Sequence, residues 1–269
     1  MSLERNVFLG EEINELRAQK MEELSKYFDL CFSVNRLASD FRSAIVVDRD
    51  VTRQVLCACL FQRLHENYQA AVLLLTYGLP MDSKIIVRTL WEGLYNLRVI
   101  TKDKKATELY IKYGEKLRLE KLRKALSKDR PFVKENNHSF TKEELNQFKD
   151  FYEEIKSVDI KIAALAKDAG LADYHVTLYS LLSDVAHCSP RVLDSYLVLD
   201  EQDRVVDIKW GPNWDKDYRF VVTAAAEGML FVLESINQLF GLRKENELSQ
   251  LNKDVDEIAK EMLQEVKPV

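Results

Sequence analysis

Chain breakers are scarce in this sequence: eight glycines and five prolines are spread over 269 residues. With so few interruptions, and with Leu, Ala, Glu and Lys abundant, the backbone has little to stop helices once they start. Apolar residues recur at helical spacing in nearly every segment, as in Leu16, Met21, Leu24, Tyr27, Phe28, Cys31 and Phe32. The expected helices span about 11–46 (one or two), 51–77, 82–102, 104–127, 142–167, 174–187, 215–241 and 244–265. Asp48 or Asp50 is the expected N-cap of the second, and Asp82 or Ser83 of the third. Gly78 followed by Pro80, then Gly170 and Gly241, are the expected stops. Thr141 with Glu144 offers a capping box, and the charged segment 127–139 reads as a surface loop.

Alternation of period two appears in one place. SYLVLD, EQDR and VVDIKW predict a β-hairpin over 195–210, after which GPNWD is expected to cap a long apolar helix. The expected fold is therefore all-α, an antiparallel helical bundle with a small β-hairpin insertion. The short connection at Gly78 makes the second and third helices an antiparallel pair. Residues 1–50 read as an N-terminal helical extension and 51–269 as the bundle, forming one continuous domain.

A net charge of −5 argues against a broad electrostatic footprint for nucleic acid. The basic run KLRLEKLRK at 116–124 is interleaved with Leu and Glu, as on the solvated side of an amphipathic helix. Cys57 and Cys59 point about 200° apart on a helix, and with Cys31 and Cys188 they read as reduced thiols. The first residues lack the basic and apolar regions of a signal peptide, and the longest apolar run, AAVLLL at 70–75, is far short of a membrane span. The expectation is a cytoplasmic protein without a membrane partner. No H-E-x-x-H, paired E-x-x-H or glycine-rich phosphate loop occurs, so neither metal nor cofactor is expected.

Two polar stripes stand out on apolar helices. Arg88, Glu92 and Asn96 follow at i+4 on a helix whose core side is set by Ile86, Val87, Leu90, Trp91, Leu94 and Leu97. Such residues face a pocket, an interface or a narrow solvated strip. Tyr179, Ser183 and His187 also rise at i+4, opposite a core stripe of Leu178, Leu181, Leu182 and Val185. A histidine there suits general acid or base work. A helical Ser with His one turn later nevertheless reads first as structural, since a nucleophile pair needs precise geometry and a third orienting group. Of the other histidines, His65 is expected toward the polar side of its helix, His138 in the loop, and His175 at a helix start.

The stretch GLPMDSKIIVRTLWEGLYNL, the YSLLSDVAH at 179–187, the hairpin and the WGPN turn resemble a bacterial family known as domain of unknown function 5677. The likeness spans about 55–240 and rests on Arg88 with Glu92 and on Tyr179, Ser183 and His187. It implies a helical fold and a bacterial origin, and no particular activity. More distantly the chain is similar to the HEPN group of helical ribonucleases, commonly dimers, which use R-x(4–6)-H. Here the nearest such pair, Arg130 and His138, is separated by seven residues. Arg88 and His187 on neighbouring helices could rebuild that pair in space.

Two functions stay open at this point. In one, Arg88, Glu92, Tyr179, Ser183 and His187 form the pocket of a phosphodiesterase or ribonuclease directed at nucleic acid or nucleotides. In the other, the same residues fix helix register in a non-enzymatic binding or regulatory module acting as a homodimer.

Overall fold

A computed structural model describes residues 7–126, 142–186, 190–214 and 217–265. The segment expected to form one helix or two forms two, α1 (Glu12–Glu23) and α2 (Ser25–Ala44), split at Leu24. Then come α3 (Thr52–Thr76), α4 (Pro80–Lys102), α5 (Lys104–Leu126) and α6 (Lys142–Ile155). Short α7 (Ile162–Asp168) and α8 (Ala172–Tyr174) lead into a π-turn, His175–Tyr179, and α9 (Ser180–Ala186). A further short helix, α10 (Pro190–Leu193), precedes strands β1 (Leu197–Leu199) and β2 (Val205–Ile208). Helices α11 (Asp217–Phe240) and α12 (Glu245–Glu265) complete the chain. This is the all-α bundle with one small antiparallel hairpin that the periodicities predict.

Most of the expected stops act through backbone geometry. Gly78 adopts φ +70°, and the Gly78 and Leu79 N–H groups donate to the Leu75 and Leu74 carbonyls. This is a Schellman ending of α3, which satisfies carbonyls the helix itself leaves open. Pro80 then opens α4 directly, with Leu79 at the N-cap, so the start falls two residues earlier than expected. Pro lacks the N–H that a first helical turn cannot use, which suits it to that position. Ser83, one of the expected caps, instead donates its hydroxyl to the Ala71 carbonyl across the helix pair. Neither Asp48 nor Asp50 caps α3: Val51 holds that place, and Asp48 Oδ1 accepts the Asp50 N–H. The loop 127–139 and the capping box at Thr141 lie outside the described residues.

The expected helix 142–167 is broken. Ile155 is buried, the chain turns, and the Val158 carbonyl accepts the Lys116 ammonium at 2.7 Å before α7 begins. The basic run on α5 is thus partly structural, with Leu119 buried and Leu117 exposed. The expected cap of α11 falls partly outside the described residues, but its first part has a different role. Asn213 N–H donates to the Gly78 carbonyl and Trp214 Nε1 to the Leu75 carbonyl, docking this segment on the α3–α4 turn.

The core runs through α2, α3, α4, α11 and α12. Helix α4 sits at its centre, packed on α3 and α11, and two glycines let it approach both. A Cβ on Gly93 would meet Leu64 of α3, and one on Gly228 would lie 2.9 Å from Trp91 Nε1. That indole is fully buried and donates to the Ala224 carbonyl at 3.0 Å. The stretch Tyr218–Phe240 of α11 is long and apolar enough to cross a membrane, yet 72% of its apolar window is buried inside the bundle. Its hydrophobicity is used by the core. His65, expected toward the polar side, is buried: α2 lies across it, and Nε2 meets Asn35 Oδ1 at 2.8 Å. Of the paired thiols, Cys57 is buried and Cys59 exposed, as their angular separation requires.

Candidate functional site

The two polar stripes belong to helices that touch. Arg88 and Glu92 lie on the face of α4 covered by the π-turn and α9, and Tyr179 ends that turn. The Tyr179 hydroxyl donates to Glu92 Oε1 at 2.6 Å and accepts from Arg88 Nε at 3.2 Å and Nη2 at 3.1 Å. Arg88 Nη2 closes the ring on Glu92 Oε1 at 3.1 Å. The guanidinium also lies over the phenol ring, 5.3 Å from its centroid. With 26% of the Arg88 side chain and 31% of Glu92 exposed, water reaches both charges, so this is a rim rather than an interior site.

Electrostatics hold Arg88 and Tyr179 in fixed protonation states. The Tyr179 hydrogen bond, reinforced by Glu92, raises the Arg88 guanidinium above its ordinary value. Burial raises the Tyr179 phenol, as does its bond to Glu92, while Arg88 opposes. The phenol therefore stays protonated at neutral pH and acts as a donor, not as a phenolate nucleophile.

The other predicted residues fare differently. Asn96 turns its amide to the Glu92 carbonyl at 2.9 Å, one turn along α4. Ser183 donates to the Tyr179 carbonyl at 2.8 Å, a bond within its own helix that leaves no hydroxyl hydrogen for a base. His187 lies outside the described residues. Arg88, Glu92 and Tyr179 are thus brought together, while Ser183 is adjacent but directed at backbone.

Beneath the ring are residues the stripes did not single out. His175 stacks on Tyr179 with centroids 4.7 Å apart, and Tyr95 packs edge-on against His175 at 6.0 Å. Tyr95 Oη and His175 Nδ1 are buried without a hydrogen-bond partner. On the next face, Tyr174 stacks on Trp91 and donates to Glu227 Oε1 at 2.6 Å. Burial holds the Glu227 carboxyl above the ordinary carboxylate range, with that bond opposing. The i+4 pairs Trp91/Tyr95 and His175/Tyr179 were the available signal for these contacts.

The wide π-turn explains why the stripe on α9 is displaced. A π-turn takes in one more residue than an α-turn, so the residues after it are rotated relative to those before it. Leu178, Leu182 and Val185 are buried as predicted, but Leu181 is 52% exposed. A separate cleft of about 360 Å³ opens between α4, α5 and α7, lined by Asn96, Val99, Ile100, Leu109 and Leu165. It does not include the Arg88 ring. Among the described residues no group of three His, Cys, Asp or Glu is placed to hold a metal ion.

Taken together, the bundle and its ring define a helical protein in which a π-turn is pinned to a central helix by a guanidinium–phenol–carboxylate triad. Residues 54–204 match the model of a family of unknown function (DUF5677), more than half of the chain, and the chain belongs to that family. The match covers α3 through the hairpin turn, and so includes Arg88, Glu92, Tyr179 and Ser183; it ends before β2, short of the expected 240. Comparison with curated proteins and with solved structures gives no match.

Proposed function

We propose that this protein is a non-enzymatic binding or regulatory module that works as a homodimer in a reducing, cytoplasmic setting. The observation that carries this is the distribution of exposed apolar side chains. Eighteen large ones are exposed among the described residues, and seven fall within 193–210: Leu193, Tyr196, Leu199, Val205, Val206, Ile208 and Trp210. Every described residue from 201 to 210 is exposed, so the hairpin offers apolar groups to solvent without a helix covering them. A lone two-stranded hairpin is marginal in water, and apolar concentration of this kind marks a contact surface. The ring supports the same reading, because the Tyr179 hydroxyl is committed to Arg88 and Glu92 and Ser183 is engaged with backbone. Buried thiols fit a reducing compartment: burial pushes Cys31 and Cys57 up to about 12, where they remain protonated. Sedimentation equilibrium across a concentration series is the test. A monomer–dimer equilibrium with no hydrolysis of RNA, DNA or nucleotides is expected; a monomer at all concentrations sinks the proposal.

A second reading, phosphodiester cleavage, draws on one feature. Arg88 is a quarter exposed and held in place by two partners, as a group awaiting a phosphate would be. His187, four residues after Ser183 in the sequence, would be its general base. RNA or nucleotide turnover lost in both Arg88→Ala and His187→Ala, with folding intact, would establish this reading over the first.

A further inference from the structure

We infer that the cleft between α4, α5 and α7 is a binding site for a small apolar amine, its hydrocarbon body against the cleft wall and its ammonium at an acidic mouth. Such a ligand goes beyond the homodimer reading above and binds whether or not the chain dimerises. Asn96, the member of the first polar stripe that takes no part in the Arg88 ring, lines this cleft.

Local sequence builds the walls. Asp103 leaves the helical region at the end of α4, with φ −130° and ψ 123°, and its Oδ1 accepts the Lys105 N–H at 2.9 Å, which caps the start of α5. On the far side, the Lys116 ammonium on the Val158 carbonyl ties the segment before α7 to α5 and fixes Ile160 as part of the wall. Val99, Ile100, Ala106, Leu109, Ile160 and Leu165 make the lining predominantly apolar, with Ile100 buried. A volume of about 360 Å³ lies at the small end of the range for small-molecule sites. The apolar lining therefore calls for a compact hydrocarbon body.

The polar groups of the cleft then select the head group, because most of them accept hydrogen bonds. Asn96 commits Nδ2 to the Glu92 carbonyl, which leaves its own Oδ1 as the open end of the amide. Asp103 and Asp168 enter no ion pair among the described residues, and Asp103 keeps Oδ2 beyond its capping bond. The Tyr110 phenol, which accepts as well as donates, has no hydrogen-bond partner among the described residues. Against these acceptors stands one cation, Lys105, so two carboxylates face one ammonium. A primary ammonium carries three donors and no acceptor, which matches that set, whereas a carboxylate ligand would meet two like charges. Asp103, Lys105 and Asp168 are exposed, so water screens them. Charge therefore discriminates between ligands by a modest factor, while apolar burial supplies most of the binding. A dissociation constant on the order of 0.1–1 mM is expected for an amine that fits the cleft.

Ligands of similar shape and different charge test this on the full chain: 2-phenylethylamine, the neutral 2-phenylethanol and the anionic phenylacetate. Methyl proton–carbon correlation spectra at low salt read binding at Val99, Ile100, Leu109 and Leu165. The amine is expected to shift these methyls with an affinity about tenfold above phenylacetate and about threefold above the alcohol. The double variant Asp103→Asn with Asp168→Asn should lower the amine to the level of the alcohol and leave the alcohol unchanged. Both positions are exposed, and Asn at 103 keeps an acceptor for the Lys105 N–H, so far-ultraviolet circular dichroism should match wild type. Ala106→Phe, with its fold checked in the same way, should abolish the shifts for all three ligands by filling the cleft. Equal affinity for the three, tighter binding of phenylacetate, or no shift up to about 10 mM amine, well above the expected dissociation constant, overturns the inference. So does amine binding that survives Ala106→Phe unchanged, since the ligand then lies elsewhere.

Discussion

Tyr179 is the residue on which the candidate site turns, because its hydroxyl bonds both Arg88 and Glu92 of α4. In Tyr179→Phe, Arg88 and Glu92 keep their direct contact, and water reaches the vacated positions since both are about a quarter exposed. The expected loss is about 1 kcal/mol in urea denaturation, below the cost of breaking a fully buried pair. Ser183→Ala should change stability by less than about 0.5 kcal/mol, because its hydroxyl serves only its own helix. A nucleophile would instead lose all activity on that change. Glu227 gives a pH signature. Its folded-state value is raised above the ordinary 4.5, so its favourable contribution is complete below that value and is lost as pH rises through the raised one. Glu227→Gln should therefore be more stable than wild type at neutral pH, with the gap closing below about pH 4. Chemical denaturation at pH 4 and pH 7.5 would check the sign.

At the scale of elements, the π-turn and the α3–α4 turn decide how the helices meet. Deleting the exposed Thr177 would restore α-helical spacing and rotate α9 by about 100°. Leu182 and Val185, both buried, would leave the core, at a cost of about 3–5 kcal/mol in a thermal melt followed by circular dichroism. Unchanged stability would mean that α9 can re-register freely. Gly78→Ala tests the other joint. The position has φ +70°, and a Cβ there would sit 2.9 Å from both Pro212 Cβ and Trp214 Cε2. Left-handed strain plus overpacking predicts a loss of about 2–4 kcal/mol. Gly78 was legible as a stop from sequence; that Trp214 packs on it was not. The sequence spacing Gly78–Pro80 encodes the turn locally, whereas Trp214 arrives from beyond the hairpin. Likewise the expected Asp82 or Ser83 cap lost to Pro80, because a proline can open a helix without any side-chain cap.

For the whole molecule, the separation between a buried core and an exposed hairpin predicts that folding and association respond to different residues. Trp210→Ala should leave the melting temperature within about 1 °C, since an exposed side chain contributes little to the fold. The same change should weaken self-association in sedimentation measurements. By itself the sequence determined the helical class, the helix order, the hairpin, and the i+4 pairing of Arg88 with Glu92. Those follow from periodicity and breakers, which act within a few residues. Only the tertiary structure decided that Tyr179, 91 residues along, closes the ring on α4, that α2 buries His65, and that a π-turn exposes Leu181. The i+4 stripe shows that a face is polar, but not which helix covers it. That choice depends on how whole helix surfaces pack, with Gly93 and Gly228 setting how closely α4 can approach its neighbours, and no local pattern carries that information.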